Sequence, residues 1–229
     1  ALLDRDSDVN EYFENISPYV SAARKTTPLN LAAEYDSLDV GQVILDRRGN
    51  VNLKDSQGNS PLHNATGSLR GQIYQNTRNL SNYGKFAKLL IDRHALVDAS
   101  NDRQETPLHN VARMCKHVYS SNIDPVDIVR ILINRGANVN ATTETGATPL
   151  HYAVQDVDTL NVSKPDSMVL SVLIDNGARV AAADDQGRMP LHIACESGWI
   201  EAVNGLLDSD ADPNAESSGL FKTPLQIAK

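Results

Sequence analysis

Thr27-Pro28-Leu29-Asn30-Leu31-Ala32 is the first of six copies of one hexapeptide, and its repetition decides the fold. The other copies are Ser60-Pro61-Leu62-His63-Asn64-Ala65 and the segments TPLHNV from Thr106, TPLHYA from Thr148, MPLHIA from Met189 and TPLQIA from Thr223. Such recurrence is typical of a stack of small units, because no unit of this size buries its apolar face alone. The sequence therefore predicts one elongated array.

A second signature lies downstream of the hexapeptides. Two apolar residues are followed by polar residues, a turn residue, and then a β-branched residue with Asn or a substitute. The apolar pairs are Ile44-Leu45, Leu89-Leu90, Ile131-Leu132, Leu173-Ile174 and Leu206-Leu207. Thr or Ser before Pro indicates a helix start, since Pro at the first helical position lacks only an N–H that would have no partner there. Each unit is predicted to contain two short helices.

Turn residues separate the helices from a hairpin. Asp55-Ser56-Gln57-Gly58 and Asp184-Asp185-Gln186-Gly187 are turn sequences suited to a hairpin tip. The glycines expected to end second helices in a left-handed conformation are Gly49, Gly136 and Gly177. The residues that replace a turn glycine are His94, Gln104 and Asp210. Positive φ strains residues other than glycine, so we expect lower local stability at those three turns.

Together the two signatures resemble the ankyrin repeat family, and the resemblance covers nearly the whole chain. It implies a mainly α fold, an ankyrin-repeat α-solenoid of stacked helix-helix-hairpin units. It also implies that the hexapeptide histidines tie each hairpin to a helix through imidazole hydrogen bonds. These histidines are His63, His109, His151 and His192.

The spacing of the hexapeptides is irregular. Their prolines, at 28, 61, 107, 149, 190 and 224, are 33, 46, 42, 41 and 34 residues apart. A plain unit has about 33 residues, so three central units carry inserts of roughly 13, 9 and 8 residues between the two helices. The predicted units are 27–59, 60–105, 106–147, 148–188 and 189–222, of which the second to fourth contain the inserts. Residues 1–26 match the tail of a preceding repeat plus an extended hairpin, and residues 223–229 match the start of a further, truncated repeat.

Three inserts at one position are expected to lie side by side along one edge of the stack. They are residues 68–83, 116–125 and 157–165, and their apolar side chains include Tyr74, Tyr119 and Leu160. One interpretation is a lateral shelf whose inserts pack on one another. The other is an additional edge that docks a partner. The sequence leaves both open.

The segment before the first hexapeptide is rich in aromatic residues, in a chain that is 5% aromatic. It contains Tyr12, Phe13, Ile16 and Tyr19. These side chains are either anchors of an interface or a cover that folds back over the end of the stack. The sequence favours neither interpretation.

Charge and composition exclude several functions. A net charge of −8 disfavours direct binding of nucleic acid, which needs a basic stripe. No apolar run reaches the roughly 18 residues of a membrane-spanning helix, so no membrane insertion is expected. The two cysteines, Cys115 and Cys195, fit reduced thiols better than a disulfide framework. We expect a monomeric array in an intracellular compartment, cytoplasmic or nuclear.

Catalytic chemistry is not indicated. The chain contains no Walker loop, no GxGxxG, no HExxH and no Ser/His/Asp constellation. The hexapeptide histidines cannot share one ion, because stacked helices hold equivalent residues roughly 8–10 Å apart and zinc ligands lie about 2 Å from the metal. We predict no enzyme activity, no cofactor and no metal.

What remains is a surface. Ankyrin proteins bind partners with hairpin tips and the exposed ends of first helices, so the resemblance implies binding residues at those positions. They are Tyr35, Gln57, Asn59, Arg103, Glu105, Met114, Glu144, Asp156, Asp185, Arg188, Trp199 and Phe221. The large apolar members, Tyr35, Met114, Trp199 and Phe221, rank first. Acidic residues outnumber basic ones at these positions, which favours a neutral or basic segment in the partner.

The leading hypothesis is a non-enzymatic module that binds a partner protein through the concave face, with or without the insert edge. The alternative is a segment of a larger multidomain protein, such as an enzyme, a channel or a pathogen effector. In that case the array recognises the substrate or host target while another domain acts. A small-ligand or metal enzyme is disfavoured, because no convergent polar site is apparent.

Overall fold

The computed structural model describes residues 8–15, 24–67, 84–114, 125–155, 167–217 and 223–227. A short antiparallel hairpin comes first, formed by β1 (Phe13–Asn15) and β2 (Arg24–Thr26). The helices of these ranges are α1 (Pro28–Glu34), α2 (Leu38–Asp46), α3 (Pro61–Gly67), α4 (Lys85–Asp92), α5 (Pro107–Met114), α6 (Pro125–Asn134), α7 (Pro149–Val154), α8 (Met168–Asp175), α9 (Pro190–Glu196), α10 (Ile200–Leu207) and α11 (Pro224–Ile227).

The helices form two layers that run along one axis. The odd-numbered helices pack in sequence, α1 on α3, α3 on α5, α5 on α7 and α7 on α9, and form an inner layer. The even-numbered helices α2 to α10 pack in the same order as an outer layer. The predicted helical solenoid is confirmed. The long connections lie between α3 and α4, α5 and α6, and α7 and α8, where inserts were expected.

The inserts themselves lie outside the described residues, and with them the predicted edge residues Tyr74, Tyr119 and Leu160. Ile16 and Tyr19 of the aromatic segment also lie outside. Tyr12 and Phe13 are described and are 46% and 37% exposed. The residue boundaries of the units stay predictions.

The leucine of each hexapeptide builds the core. Leu62, Leu108 and Leu150 are completely buried, and Leu29 and Leu191 are 2% exposed. Each of these leucines follows a proline at the start of an inner helix, so the cap and the core contact are set by adjacent residues. In the first copy the Thr27 hydroxyl accepts a hydrogen bond from Asn30 N at 3.2 Å. The local start signal therefore also fixes which face of the helix is buried.

Left-handed residues end the outer helices, and one of them was mispredicted. Gly136 and Gly177 have φ values of 91° and 87°, as expected. In the first unit, however, Arg48 takes this conformation with a φ of 66°, and the prediction for Gly49 is wrong. Gly49 lies one residue later, against Ile44, where an added Cβ would clash. The chain therefore uses glycine here for close packing and accepts a strained arginine beside it.

The predicted substitutions of turn glycines are present as strained residues. His94, Gln104 and Asp210 have φ values of 67°, 58° and 64°. Asp36, between α1 and α2, is a further case with a φ of 52° that the repeat pattern did not signal. A left-handed conformation costs a residue other than glycine of order 1 kcal/mol.

Gly41 in α2 provides a test of outer-layer packing, because the ring of Phe86 from α4 lies against it. A Cβ at this position would overlap the Phe86 ring. We expect Gly41→Ala to destabilise the protein by about 1–2 kcal/mol, although alanine is the better helix former by about 1 kcal/mol. Urea unfolding followed by circular dichroism measures the change.

The matched control is Gly205→Ala in α10, where the added Cβ would meet only the flexible end of Leu170 at 3.1 Å. It should be neutral or slightly stabilising. In a Phe86→Leu background, Gly41→Ala should lose most of its cost. An equal cost in both backgrounds would contradict the steric explanation.

Candidate functional site

Hairpin side chains contact the inner helices, which defines one shared face. Arg24 of β2 lies 3.4 Å from the Glu34 carboxylate at the end of α1. Glu105 of a later hairpin lies 2.6 Å from the Arg113 guanidinium of α5. The hairpins and the inner layer therefore line the same side of the stack, and we call this side the inner face.

The hairpin tips are in register along the inner face. The backbone N–H of each tip donates to a carbonyl of the preceding one: Ser56 to Lys25 at 2.9 Å, Asp102 to Gln57 at 3.2 Å, Glu144 to Arg103 at 3.0 Å and Asp185 to Thr145 at 3.0 Å. Three successive tips thus place an acidic residue at one equivalent position. Asp102, Glu144 and Asp185 are all exposed.

Each tip is also held internally. The Asp55 carboxylate accepts hydrogen bonds from Gln57 N at 2.8 Å and Asn59 N at 3.0 Å. Asp184 accepts the equivalent bonds from Gln186 N and Arg188 N at 2.9 and 2.8 Å. Because side chains clamp the backbone of the turn, the exposed tip residues are presented from a fixed loop.

Glu105, predicted as a tip residue for partner contact, is instead buried at 7% exposure. Its carboxylate accepts hydrogen bonds from Arg113 at 2.6 Å, the Tyr152 hydroxyl at 2.7 Å and Asn101 Nδ2 at 3.0 Å. Arg113 in turn lies over the Tyr152 ring, 4.1 Å from its centroid. Glu105 therefore joins three consecutive elements of the stack.

This network shifts two pKa values in opposite directions. Burial raises the pKa of Glu105, but the hydrogen bonds from Asn101 and Tyr152 and the charge of Arg113 outweigh it and bring the pKa to about 2. Burial and the bond to Glu105 raise the pKa of Tyr152 to about 12. The carboxylate is therefore charged and the phenol neutral at every physiological pH.

A second polar cluster lies at the first hairpin. The Arg24 guanidinium pairs with the fully buried Asp55 carboxylate. It also donates to the Asn64 side-chain oxygen at 3.3 Å. Burial raises the pKa of Glu34, the other carboxylate beside Arg24. A cationic side chain on β2 thereby fixes the hairpin against the next unit.

The hexapeptide histidines have a structural role, as the resemblance implied. Nδ1 of His63 accepts from Ser60 N at 3.2 Å, so the ring proton lies on Nε2 and donates to the Glu105 carbonyl at 2.9 Å. Nε2 of His109 and His151 reaches the Ala147 and Arg188 carbonyls at 3.2 and 3.0 Å in the same way. In these three units the imidazole links the start of its own helix to the following hairpin, whereas His192 Nε2 has no partner among the described residues.

The structure separates the predicted site residues into three groups. Gln57, Arg103, Glu144 and Asp185 are exposed, as is Tyr35 at 46%, and Asn59 and Arg188 are half-buried. Trp199 is only 7% exposed and packs in the core, so its predicted surface position is wrong. Asp156 and Phe221 lie outside the described residues, as does the side chain of Met114.

Two residues of the inner face were missed from the sequence, Arg24 and Tyr152. Tyr152 occupies the variable position of its hexapeptide, and its neighbouring copies carry Asn110 and Ile193 there. The sequence signal that could have identified Tyr152 was its phenol, at a position that points along the inner layer. Arg24 lies outside the repeated motif, so no periodicity marked it.

In the described ranges, no group of three or more His, Cys, Asp or Glu side chains is arranged to hold a metal ion. Among the described helices, none has the length and apolar character needed to cross a membrane.

The two-layered stack and its inner face define a repeat solenoid. The family model for ankyrin repeats in three copies matches residues 77–164 and 117–217, and the model for ankyrin repeats in many copies matches residues 9–65. The chain belongs to the ankyrin repeat family. Ankyrin repeats are generally protein–protein interaction modules and are typically non-catalytic. A comparison with curated proteins found no match.

Acid should destabilise the stack through the histidines. Burial lowers the pKa of His109 to about 4, below the ordinary 6.5, so the folded state binds fewer protons than the unfolded state between these values. Stability is therefore lost as pH falls from about 6.5 towards 4. We expect His109 alone to cost about 1 kcal/mol on going from about pH 7.5 to 5.5, measured by urea unfolding.

His109→Gln is the control, because Gln226 already accepts the equivalent cap bond from Thr223 N at 3.1 Å. The variant should be less stable near neutral pH but should lose about 1 kcal/mol less on acidification. An unchanged pH dependence would contradict the role of the neutral imidazole.

The Glu105 network predicts a cost for one hydroxyl group. Tyr152→Phe keeps the ring over Arg113 but removes the donor to Glu105. Since the lost bond is to a charged, buried carboxylate, we expect a loss of about 1–2 kcal/mol in urea unfolding. Tyr12→Phe is the matched control, because its hydroxyl donates to the Lys54 carbonyl at the exposed surface and should cost well below about 1 kcal/mol. Equal costs for both variants would contradict the special role of Glu105.

Proposed function

We propose that this array binds a partner protein through its inner face, and that the bound segment of the partner is basic. One observation carries the proposal: three consecutive hairpins present Asp102, Glu144 and Asp185 at one register position, all exposed. Within the described residues, none of the three carboxylates forms an ion pair. The inner face therefore carries uncompensated negative charge along the axis of the stack.

Spacing defines what such a row can recognise. Stacked helices lie roughly 8–10 Å apart, and an extended chain advances roughly 3.3 Å per residue. A segment that runs along the axis would therefore meet successive acidic tips with about every third residue. Lys or Arg at that spacing matches the row, while Arg103, beside Asp102, weakens the field at one end of it.

Rigidity supports the same conclusion. Asp55, Asn101 and Asp184 clamp their turns by side-chain hydrogen bonds to the backbone, and adjacent tips are joined by backbone bonds. Little loop entropy remains to be lost when a partner binds, so modest contacts suffice for affinity. Tyr35, exposed at the end of α1, adds apolar area at the other end of the face.

The location of the protein is part of the proposal. Cys195 on α9 is a free thiol, and free thiols persist in the reducing interior of the cell. A cytoplasmic or nuclear protein is therefore the expected partner. The inserts, residues 68–83, 116–125 and 157–165, are the proposed second contact with the partner.

The test replaces the three acidic tips together. The ligand is a fluorescent peptide with Lys at every third position, and its affinity is measured by anisotropy. The triple variant Asp102→Asn, Glu144→Gln and Asp185→Asn should bind this peptide about tenfold more weakly than the unchanged protein. Binding by the unchanged protein should also weaken strongly between about 50 and 300 mM salt, because the contacts are exposed charges.

The control removes the same charge from the other side. The control variant combines Asp39→Asn, Asp127→Asn and Asp175→Asn, which all lie on outer helices. Like the tip variant, it removes three negative charges and changes the net charge from −8 to −5. This variant should bind within about twofold of the unchanged protein. Equal loss in both triple variants, or equal binding of a peptide with the same lysines clustered, would overturn the proposal of a spaced basic partner.

A further inference from the structure

Side chains tie each loop to the next along the outer edge of the stack. The residue after the β-branched position accepts a hydrogen bond from a backbone N–H of the following unit. These bonds join Asn10 to Asn50 N at 2.6 Å, Asn52 to Leu96 N at 2.9 Å, Asp98 to Asn138 N at 2.9 Å and Asn140 to Arg179 N at 2.9 Å. Four successive boundaries share this tie, and we call it the loop ladder.

The loop ladder ends at Ala181. Val180-Ala181 takes the place of Val139-Asn140, and a methyl group accepts no hydrogen bond. The N–H that would be its partner is that of Asp212, in the loop after α10. Among the residues that the structure describes, Asp212 N has no acceptor within hydrogen-bond distance. The boundary before α9 and α10 therefore lacks the bond that secures each earlier boundary.

The start of α9 is weaker as well. In the earlier copies a hydroxyl lies beside the imidazole, with Ser60, Thr106 and Thr148 Oγ at 2.8, 2.9 and 2.9 Å from Nδ1. Met189 replaces this residue, and a thioether has no proton to donate. The Met189 N–H donates to His192 Nδ1 at 3.1 Å, and the Met189 side chain accepts from the His192 N–H. The first turn of α9 thus lacks the hydroxyl contact to the imidazole that its equivalents have.

Polar contacts between inner helices show the same trend. Asn64 donates to Asn30 at 3.1 Å, Asn110 to the His63 carbonyl at 3.1 Å, and Tyr152 to Glu105 at 2.7 Å. Between α7 and α9, the Ser197 hydroxyl donates to the Val154 carbonyl at 3.4 Å, which is longer than the three bonds above. Ala194, Ala202 and Leu206 of α9 and α10 are completely buried. Apolar packing is less directional than hydrogen bonding and tolerates sliding better.

We propose that α9 and α10, together with α11 that packs on α9, open as one unit ahead of the preceding helices, and that Ala181 and Met189 set this opening point. The opening separates the Asp185 tip from the part of the inner face that α9 contributes, including the exposed Glu196. The end of the recognition surface can therefore adjust to a partner while the clamped tips before it stay fixed. This conclusion does not depend on the charge of the partner.

Hydrogen exchange of the whole chain, resolved by peptide mass spectrometry, tests the proposal. Amides of α9 and α10 should exchange about tenfold or more faster than those of α5 to α8, as one cooperative group, because two bonds of ordinary strength are missing. Ala181→Asn should slow exchange of this group about fivefold or more, and Met189→Thr should add to the effect.

Two controls separate this device from simple fraying near the end of a chain. Ala183→Asn, at an exposed residue two positions further on, lies off the loop ladder and should change nothing. Asn140→Ala should create a second opening point, so that α7 and the helices after it exchange faster together. Protection of α9 and α10 equal to that of α5 to α8 would overturn the proposal. So would exchange that Ala181→Asn leaves unchanged.

Discussion

The structure of the stack depends on a hydrogen-bonded link, made by a neutral imidazole, between an inner helix and the hairpin that follows it. His63, His109 and His151 each accept a hydrogen bond from a backbone N–H at the start of an inner helix and donate one to the carbonyl of the residue before the next hexapeptide. This geometry requires the uncharged ring with its proton on Nε2. Burial lowers the pKa of all three rings, so the folded state favours the uncharged ring that these bonds need. The orientation of each hairpin follows from this link.

The orientation of the hairpins sets the register of the tips, and this register underlies the proposed recognition surface. Once the hairpins are parallel, their backbones bond to one another, and equivalent side chains form rows at the repeat distance. A row of like charges on a monomer is unfavourable by itself. The structure neutralises Asp55, Glu105 and Asp184 with arginines at the base of the hairpins, yet leaves Asp102, Glu144 and Asp185 exposed at the tips. This division between paired and unpaired acids is what supports the proposed binding surface.

The repeat pattern predicted architecture well because it records burial, and burial is periodic. It predicted the solenoid, the position of the long connections and the role of the histidines. It failed where a side chain responds to one particular neighbour. Glu105 is buried because Arg113 and Tyr152 face it; Arg113 lies outside the repeated motif, and Tyr152 occupies its variable position. Trp199 fills space beside the short α9–α10 turn, which a count of surface positions could not reveal.

The error at Gly49 has the same origin and is instructive about stability. A glycine near a helix end suggested the left-handed position, but the steric demand of Ile44 placed it one residue later and left Arg48 strained. Departures of this kind are individually small, of order 1 kcal/mol. In a linear stack each unit contacts only its neighbours, so such terms act on one boundary and are not averaged over a common core. The strain at Arg48 and His94 and the missing contacts at Ala181 and Met189 therefore each act on one boundary, whereas the repeated leucine core stabilises the stack as a whole.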